Sequence, residues 1–382
     1  MNDDLLRWRK HFPILATTTY LISNSLGAMP DRVRQAMAEY AETWATRGVT
    51  AWDDWWDMPV KVGDLLGPIL GCGAGEVSLH QNVTLVQAII ASCFDIRAPR
   101  NRVVLSDMEF PSVRYFWQAQ RGVEIVEVEG DGVTVPVERM LAAIDERTLL
   151  VPMSHVLFRS AYIQDAAAII RRAHALGALV ILDSFQAAGT VPFNVRELDA
   201  DFCVGGVLKW LCGGPGVAYL YVKPELRARL EPRLTGWMAH KRPFQFELTQ
   251  DLQTDSFRFM NGTPHIPAIY AARPGLEIIN QVGVYNIRRK SMHQTKLLIE
   301  AAQERGFLLT VPADAACRGG TVAINVPDGY QVCQELIRRK FLVDYRPKAG
   351  VRVSPHFYNT DDEVLAVVEE IARIAAPARV RA

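Results

Sequence analysis

Residues 178–222 read ALVILDSFQAAGTVPFNVRELDADFCVGGVLKWLCGGPGVAYLYV. Three apolar, β-branched runs (ALVILD, FCVGGV and VAYLYV) are separated by turn-rich segments, the pattern of buried strands in an α/β sheet. The first run ends in Asp183, and the second ends just before Lys209 and the glycine-rich GGPG. In such sheets the chemistry collects at the carboxyl ends of strands. An ionisable side chain at the end of a buried strand is costly unless it has a partner. Taken singly, Asp183 is a turn cap and Lys209 a solvated surface residue. Taken together in this context, they point to a bound cofactor that partners both. A pyridine nitrogen needs a carboxylate to stay protonated, and an aldehyde needs a lysine to form a Schiff base.

The same alternation extends outward. RVVLS, VEIVEVE and LLVPMS precede the quoted stretch, with amphipathic helical segments such as DAAAIIRRAHALG between them. Residues from about 75 to 222 therefore read as an α/β domain with a mainly parallel sheet. From about Pro267 the pattern changes to a long helical stretch, then TVAINV, YQVCQELIRRK, FLVDYRP and VRVSP. A closing helix, DDEVLAVVEEIARIAA, follows, with Asn359 or Thr360 as its N-cap. The expected division is an N-terminal segment 1–15 packing with the small domain, a large domain 16–266 and a smaller C-terminal α/β domain 267–382.

The 382 residues carry 42 basic and 42 acidic side chains, so no polyanion or acidic membrane partner is expected. No apolar run approaches the roughly 20 residues that span a bilayer. The N-terminus lacks the features of a signal peptide. The six cysteines are scattered without metal-binding spacing, which predicts a reducing, cytoplasmic setting and no metal site.

The order Asp-x-x-Gln after a strand, then Lys before a glycine-rich turn, resembles the fold-type I pyridoxal-phosphate (PLP) enzymes of the class V aminotransferase group. The kynureninase branch is the most similar. SNSLGAMP resembles its GNSLG segment, EFPS its FPT or FPS turn and SHVLFRSAY its THVNYRTG segment. LTGWMAH is similar to its SGWWGH, FRFMNGTPHI to its dimer-interface segment, and VDYRPKAGVRVSPHFYNT to its carboxylate-binding end. The resemblance implies the fold-type I PLP-dependent transferase fold, an amino-acid substrate and a homodimer with shared active sites. It implies that Lys209 and Asp183 are catalytic. It also implies that Val83 and Thr84 hold the phosphate at a helix N-terminus, that Phe110 stacks on the ring and that Gln186 reaches the phenolic oxygen. Trp237 and, from the partner subunit, Thr263 would reach the phosphate. Arg352 would grip the substrate's α-carboxylate, with Asn24, Ser25, Trp55 and Asn261 also facing substrate and Trp52 and Trp56 beside Trp55.

Three departures bear on the reaction. Leu208 stands where kynureninase has a tyrosine, Val113 replaces a polar residue, and Asp183-Ser184-Phe185-Gln186 replaces Asp-Leu-Ala-His. The remaining proton donors are water, Ser25, His155 and His240. Cysteine desulfurase chemistry needs a mobile cysteine shortly before the carboxylate-binding arginine, and residues 341–355 contain none. A kynureninase-like hydrolase that cleaves a side-chain carbon–carbon bond therefore ranks first. A carbon–sulfur lyase, a desulfurase-like enzyme, an epimerase and an aminotransferase are the alternatives. Outside the enzymes, the alternative is a non-catalytic member of the fold, and the joint presence of Asp183, Lys209 and Arg352 argues against it.

Overall fold

The computed structural model describes residues 3–379; residues 1–2 and 380–382 of the expected terminal spans lie outside the described residues. Seven strands form the main sheet: β1 (Val77–His80), β2 (Arg102–Ser106), β3 (Glu124–Val128), β4 (Thr148–Ser154), β5 (Leu179–Asp183), β6 (Phe202–Gly206) and β7 (Ala218–Val222). They lie in the order β1-β7-β6-β5-β4-β2-β3. All run parallel except β7, which is antiparallel to both neighbours. A parallel return needs a crossover of about a dozen residues or more, usually helical. The turn-rich residues 207–217 leave no room for one, so β7 reverses.

Both faces of the sheet are covered. Along β5, Val180 and Leu182 face one core cluster while Ile181 faces the other. This two-sided burial explains why the strand reads as a continuous apolar run rather than an alternating one. Each such side chain contributes about 1.5–3 kcal/mol by leaving water.

A second, antiparallel sheet is built from β8 (Leu308–Leu309), β9 (Val322–Asn325), β10 (Asp344–Arg346) and β11 (Gly350–Val353), in the order β10-β11-β9-β8. It shares a core with the helices Val284–Glu304 and Asp361–Arg379. The closing helix begins with a capping box. Glu363 N–H donates to Thr360 Oγ1, and Thr360 N–H donates to Glu363 Oε2. Asn359, the other expected cap, instead donates to the Tyr20 carbonyl.

The helix Ile266–Val282, which the change of pattern assigns to the second domain, contributes Ala268, Ile269, Ala272 and Leu276 to the core of the large sheet. It ends at Gly283, whose φ of +82° breaks the long helical stretch in two. The N-terminal segment is tied to the small domain by Arg9, which bonds Glu363 and the Tyr358 carbonyl, and by Asp3, which pairs with Lys290. Phe12 and Leu15 reach the large core from the same segment.

Candidate active site

Ser154 and Asp183 at the carboxyl ends of β4 and β5, with the segments that follow β1, β2 and β6, line one cavity of about 340 Å³. Asp183 ends β5, Ser154 ends β4 beside it in register, and Lys209 follows β6. Two close backbone approaches hold the lysine loop. A Cβ on Gly27 would lie 2.2 Å from the Lys209 carbonyl oxygen, and one on Gly275 would lie 2.4 Å from that of Cys212. The Gly27 N–H also donates to the Leu208 carbonyl. Any larger residue at either position would push the loop away from the strand ends.

Lys209 Nζ lies 4.2 Å from the centroid of the Phe185 ring and 5.6 Å from that of Phe110. The side chain keeps some exposure because the cavity opens onto it. The protein atoms crowding its ammonium nevertheless lower its proton affinity, partly offset by Asp183 and reinforced by Arg352. Burial raises the pKa of Asp183, while the Phe185 N–H donated to its Oδ1 and the Lys209 charge pull it down. A cation placed between the two would stabilise the ionised carboxylate.

At the other pole, the helix Val83–Ser92 points its N-terminus into the cavity. Its N-cap is Asn82, whose Oδ1 accepts the Leu85 N–H. Among the described residues the N–H groups of Val83 and Thr84 meet no acceptor. Phe110 is 42% exposed and packs edge-on against Phe158 at 5.3 Å. Free N–H donors, an open aromatic face, a buried carboxylate and a lysine together fit PLP. Val83 and Thr84 would hold its phosphate, Phe110 its ring, Asp183 its ring nitrogen and Lys209 its aldehyde.

Gln186 is more constrained than its expected role suggests. Its Oε1 accepts from Trp210 Nε1, and its Nε2 donates to the Asn24 carbonyl, leaving one N–H for the phenolic oxygen. Asn24 and Ser25 both line the cavity. Asn24 is 1% exposed, and neither Oδ1 nor Nδ2 of its amide has a partner among the described residues. A buried, unsatisfied amide costs about 1–3 kcal/mol, a cost that a ligand can remove.

Arg352 is buried although it follows Arg346 and Lys348 in a basic run. Its side chain is 3% exposed, against 41% for Arg346. Its Nε and Nη2 donate to Asp344 at 2.8 and 2.5 Å, and its Nη1 donates to the Phe158 carbonyl at 2.6 Å.

The structure does not bring every expected residue to this cavity. Trp55 is packed with Ala51, Ile266 and Tyr270, stacked on Tyr40, and its indole N–H donates to Tyr270 Oη. Aromatic packing against the helix Ile266–Val282 thus takes up the ring expected to face substrate. Trp237, Asn261 and Thr263 also lie outside the lining of this chain's cavity. Trp237 is half-exposed and packs against Trp56, Phe244 and Phe246. Neither histidine reaches the cavity lining. Burial lowers the His155 pKa to about 4, so its imidazole is neutral, and His240 accepts the Arg242 N–H through Nδ1. Of the expected donors, only Ser25 lines the cavity.

Several residues escaped the sequence reading. Glu109 is buried at the strand ends, accepting from Ser106 Oγ and from both N–H and Oγ of Ser154. Burial raises its pKa to about 7. Its sequence signal is an acid directly before Phe110. Asp344 and Arg346 flank Tyr345 in the VDYRP segment, and an acid inside a basic run was their signal.

The fold and this site define a PLP-dependent enzyme of fold type I. Residues 81–367 match the family described as Aminotransferase class-V, and the chain belongs to that family. An uncharacterized aminotransferase, YcbU, of Bacillus subtilis is 30% identical, the match covering 96% of this chain and 97% of the relative. A kynureninase of Pseudomonas fluorescens is also 30% identical, over 98% of this chain and 93% of the relative. Among solved structures, a cysteine desulfurase of Thermococcus onnurineus superposes with a TM-score of 0.85 at 23% identity, covering 97% of this chain and 98% of that one. Among the described residues no helix is long and apolar enough to cross a membrane.

Proposed function

We propose that the chain is a kynureninase-like hydrolase that cleaves the bond between Cβ and Cγ of an amino acid bearing a γ-carbonyl, releasing an acid and L-alanine. The observation that carries this reading is that Lys209, Asp183 and Arg352 meet in one cavity that no described cysteine lines. Its likeness to kynureninases along nearly the whole chain supports it. When bound, PLP supplies an aldehyde for the substrate amine and a protonated ring that draws electrons from the α-carbon. Lys209 Nζ takes the α-proton, its proton affinity lowered by its surroundings. Asp183 keeps a proton on the ring nitrogen. Arg352 and Asn24 orient the α-carboxylate, while Val113, Val156 and Leu208 keep water from the α-carbon. Ser25 and Ser112, and Ser154 through its hydrogen bond to Glu109, are hydroxyls of the lining that can carry protons for hydration of the γ-carbonyl.

Leu208 favours a second reading. It lines the cavity where a tyrosine hydroxyl would serve kynurenine hydrolysis. A relative that shares the α-proton step and breaks a different bond, such as a carbon–sulfur lyase, needs no acid at that point. Incubating the holoenzyme with a panel of γ-keto and β-thio amino acids separates the two. Alanine released from γ-keto substrates supports the hydrolase; pyruvate and ammonia from β-thio substrates alone would replace it with the lyase.

In the same reading the protein is a homodimer with shared sites, Trp237, Asn261 and Thr263 reaching the partner's cavity. Half-exposed Trp237 and exposed Trp44, Phe244, Phe246 and Leu248 supply apolar surface for such an interface. Dilution is expected to release cofactor in step with dissociation. A monomer in sedimentation that keeps full cofactor occupancy would contradict this.

Arg352→Lys is expected to weaken amino-acid binding about 10- to 100-fold, because an ammonium cannot reproduce two fixed, charge-assisted hydrogen bonds. Cofactor retention should be unchanged, since Arg352 lies at the substrate end. Amino-acid titrations and cofactor occupancy measured on one preparation check both halves.

A further inference from the structure

The substrate end of the cavity carries a charge count that bears on what it can accept. Besides the cofactor pair Asp183 and Lys209, the charged residues that line the cavity among the described residues are Arg346 and Arg352. Both are paired to one carboxylate, Asp344, which is itself buried. The pairing is built into the hairpin, because Asp344 on β10 stands directly opposite Arg352 on β11. Arg352 spends Nε–H and one Nη2–H on Asp344 and one Nη1–H on Phe158, so each Nη keeps one N–H free. Arg346 Nη2 lies 3.1 Å from Asp344 Oδ2, and its Nη1 donates to the Tyr345 carbonyl. Two guanidinium groups and one carboxylate sum to a single positive charge. Asn24 adds an unpartnered amide to the same cavity, and it is neutral. Beyond it the cavity offers the neutral hydroxyls of Ser25, Ser112 and Ser154 and the apolar side chains of Val113, Val156, Phe158 and Leu208, none of which carries a charge to balance a second anion.

We propose that Asp344 sets the charge of the substrate: shared between Arg352 and Arg346, it leaves a site for an α-amino acid with one carboxylate and an uncharged side chain, and it rejects dicarboxylic amino acids. The proposal rests on Arg352 as the α-carboxylate ligand. Asp344 touches no reacting atom; it orients Arg352 and withholds Arg346. Without it, Arg346 would be released as a second anion receptor at the mouth of the cavity. The phosphate at the far pole is common to every ligand, so it cancels when two amino acids are compared.

The test is equilibrium binding to the holoenzyme, followed by the cofactor's spectral change, with L-alanine and L-leucine against L-aspartate and L-glutamate. Wild type is expected to favour the neutral pair by at least about tenfold, or 1.4 kcal/mol. Asp344→Asn should erase most of that preference, and the double variant Asp344→Asn with Arg346→Gln should restore it by returning the net charge to one. Wild-type affinities for L-aspartate and L-alanine within about threefold of each other would overturn the proposal even if neither variant folds. An Asp344→Asn variant that folds and keeps the full preference would overturn it too. These ligands lack a γ-carbonyl, so charge selection can fail while the cleavage reading stands, and the reverse.

Discussion

Lys209→Ala is expected to lower turnover at least about 1,000-fold, the upper range for losing a positioned general base, and to leave the cofactor removable by dialysis. The variant should still bind PLP non-covalently. Asp183, Phe110 and the free N–H groups of Val83 and Thr84 come from other elements of the fold and are untouched. Folding should be preserved, because the ammonium rests on the Phe185 and Phe110 rings rather than in a structural ion pair. Turnover on the best amino acid of the panel, together with absorbance before and after dialysis, checks the prediction. A variant that works within tenfold of wild type would remove Lys209 from the chemistry.

Asp183→Asn is expected to cost about 100- to 1,000-fold in kcat, the range for deleting one preorganised electrostatic partner. Asparagine retains an oxygen to accept the Phe185 N–H that Asp183 Oδ1 accepts now, so the turn after β5 should survive. It cannot supply the negative charge that keeps the ring nitrogen protonated. KM should move much less than kcat, because the substrate carboxylate is held by Arg352 at the other end. Rates and KM measured together distinguish this from a general loss of structure, which would lower both occupancy and thermal stability.

Much of this was legible in the sequence for a simple physical reason. Strands covered on both faces must be largely apolar, so β4 to β7 announce themselves as short apolar runs, and the ionisable groups at the ends of β5 and β6 stand out. Asp183, Lys209, Phe110, Val83, Thr84, Gln186, Asn24, Ser25 and Arg352 do line one cavity. What was hidden depended on three-dimensional pairing. The apolar run of β7 says nothing about its direction, which the short connection from β6 decides. Trp55 reads as a free aromatic until Tyr40 and Tyr270 are seen to enclose it. Asp344 and Arg352 are eight residues apart in sequence and directly opposite in register. Their bond follows from where the turn before Gly350 falls. The burial of Glu109 and the unpartnered amide of Asn24 follow from packing between segments distant in sequence.

The most direct test of the central claim is borohydride reduction of the wild-type holoprotein, followed by digestion and mass mapping of the pyridoxyl group. One modified residue is expected, Lys209, in the peptide between the strands Phe202–Gly206 and Ala218–Val222. Lys290 is buried and is already committed to Asp3 and the Phe357 carbonyl. Label on Lys290 or any other lysine, or a holoprotein that takes no label, would contradict it.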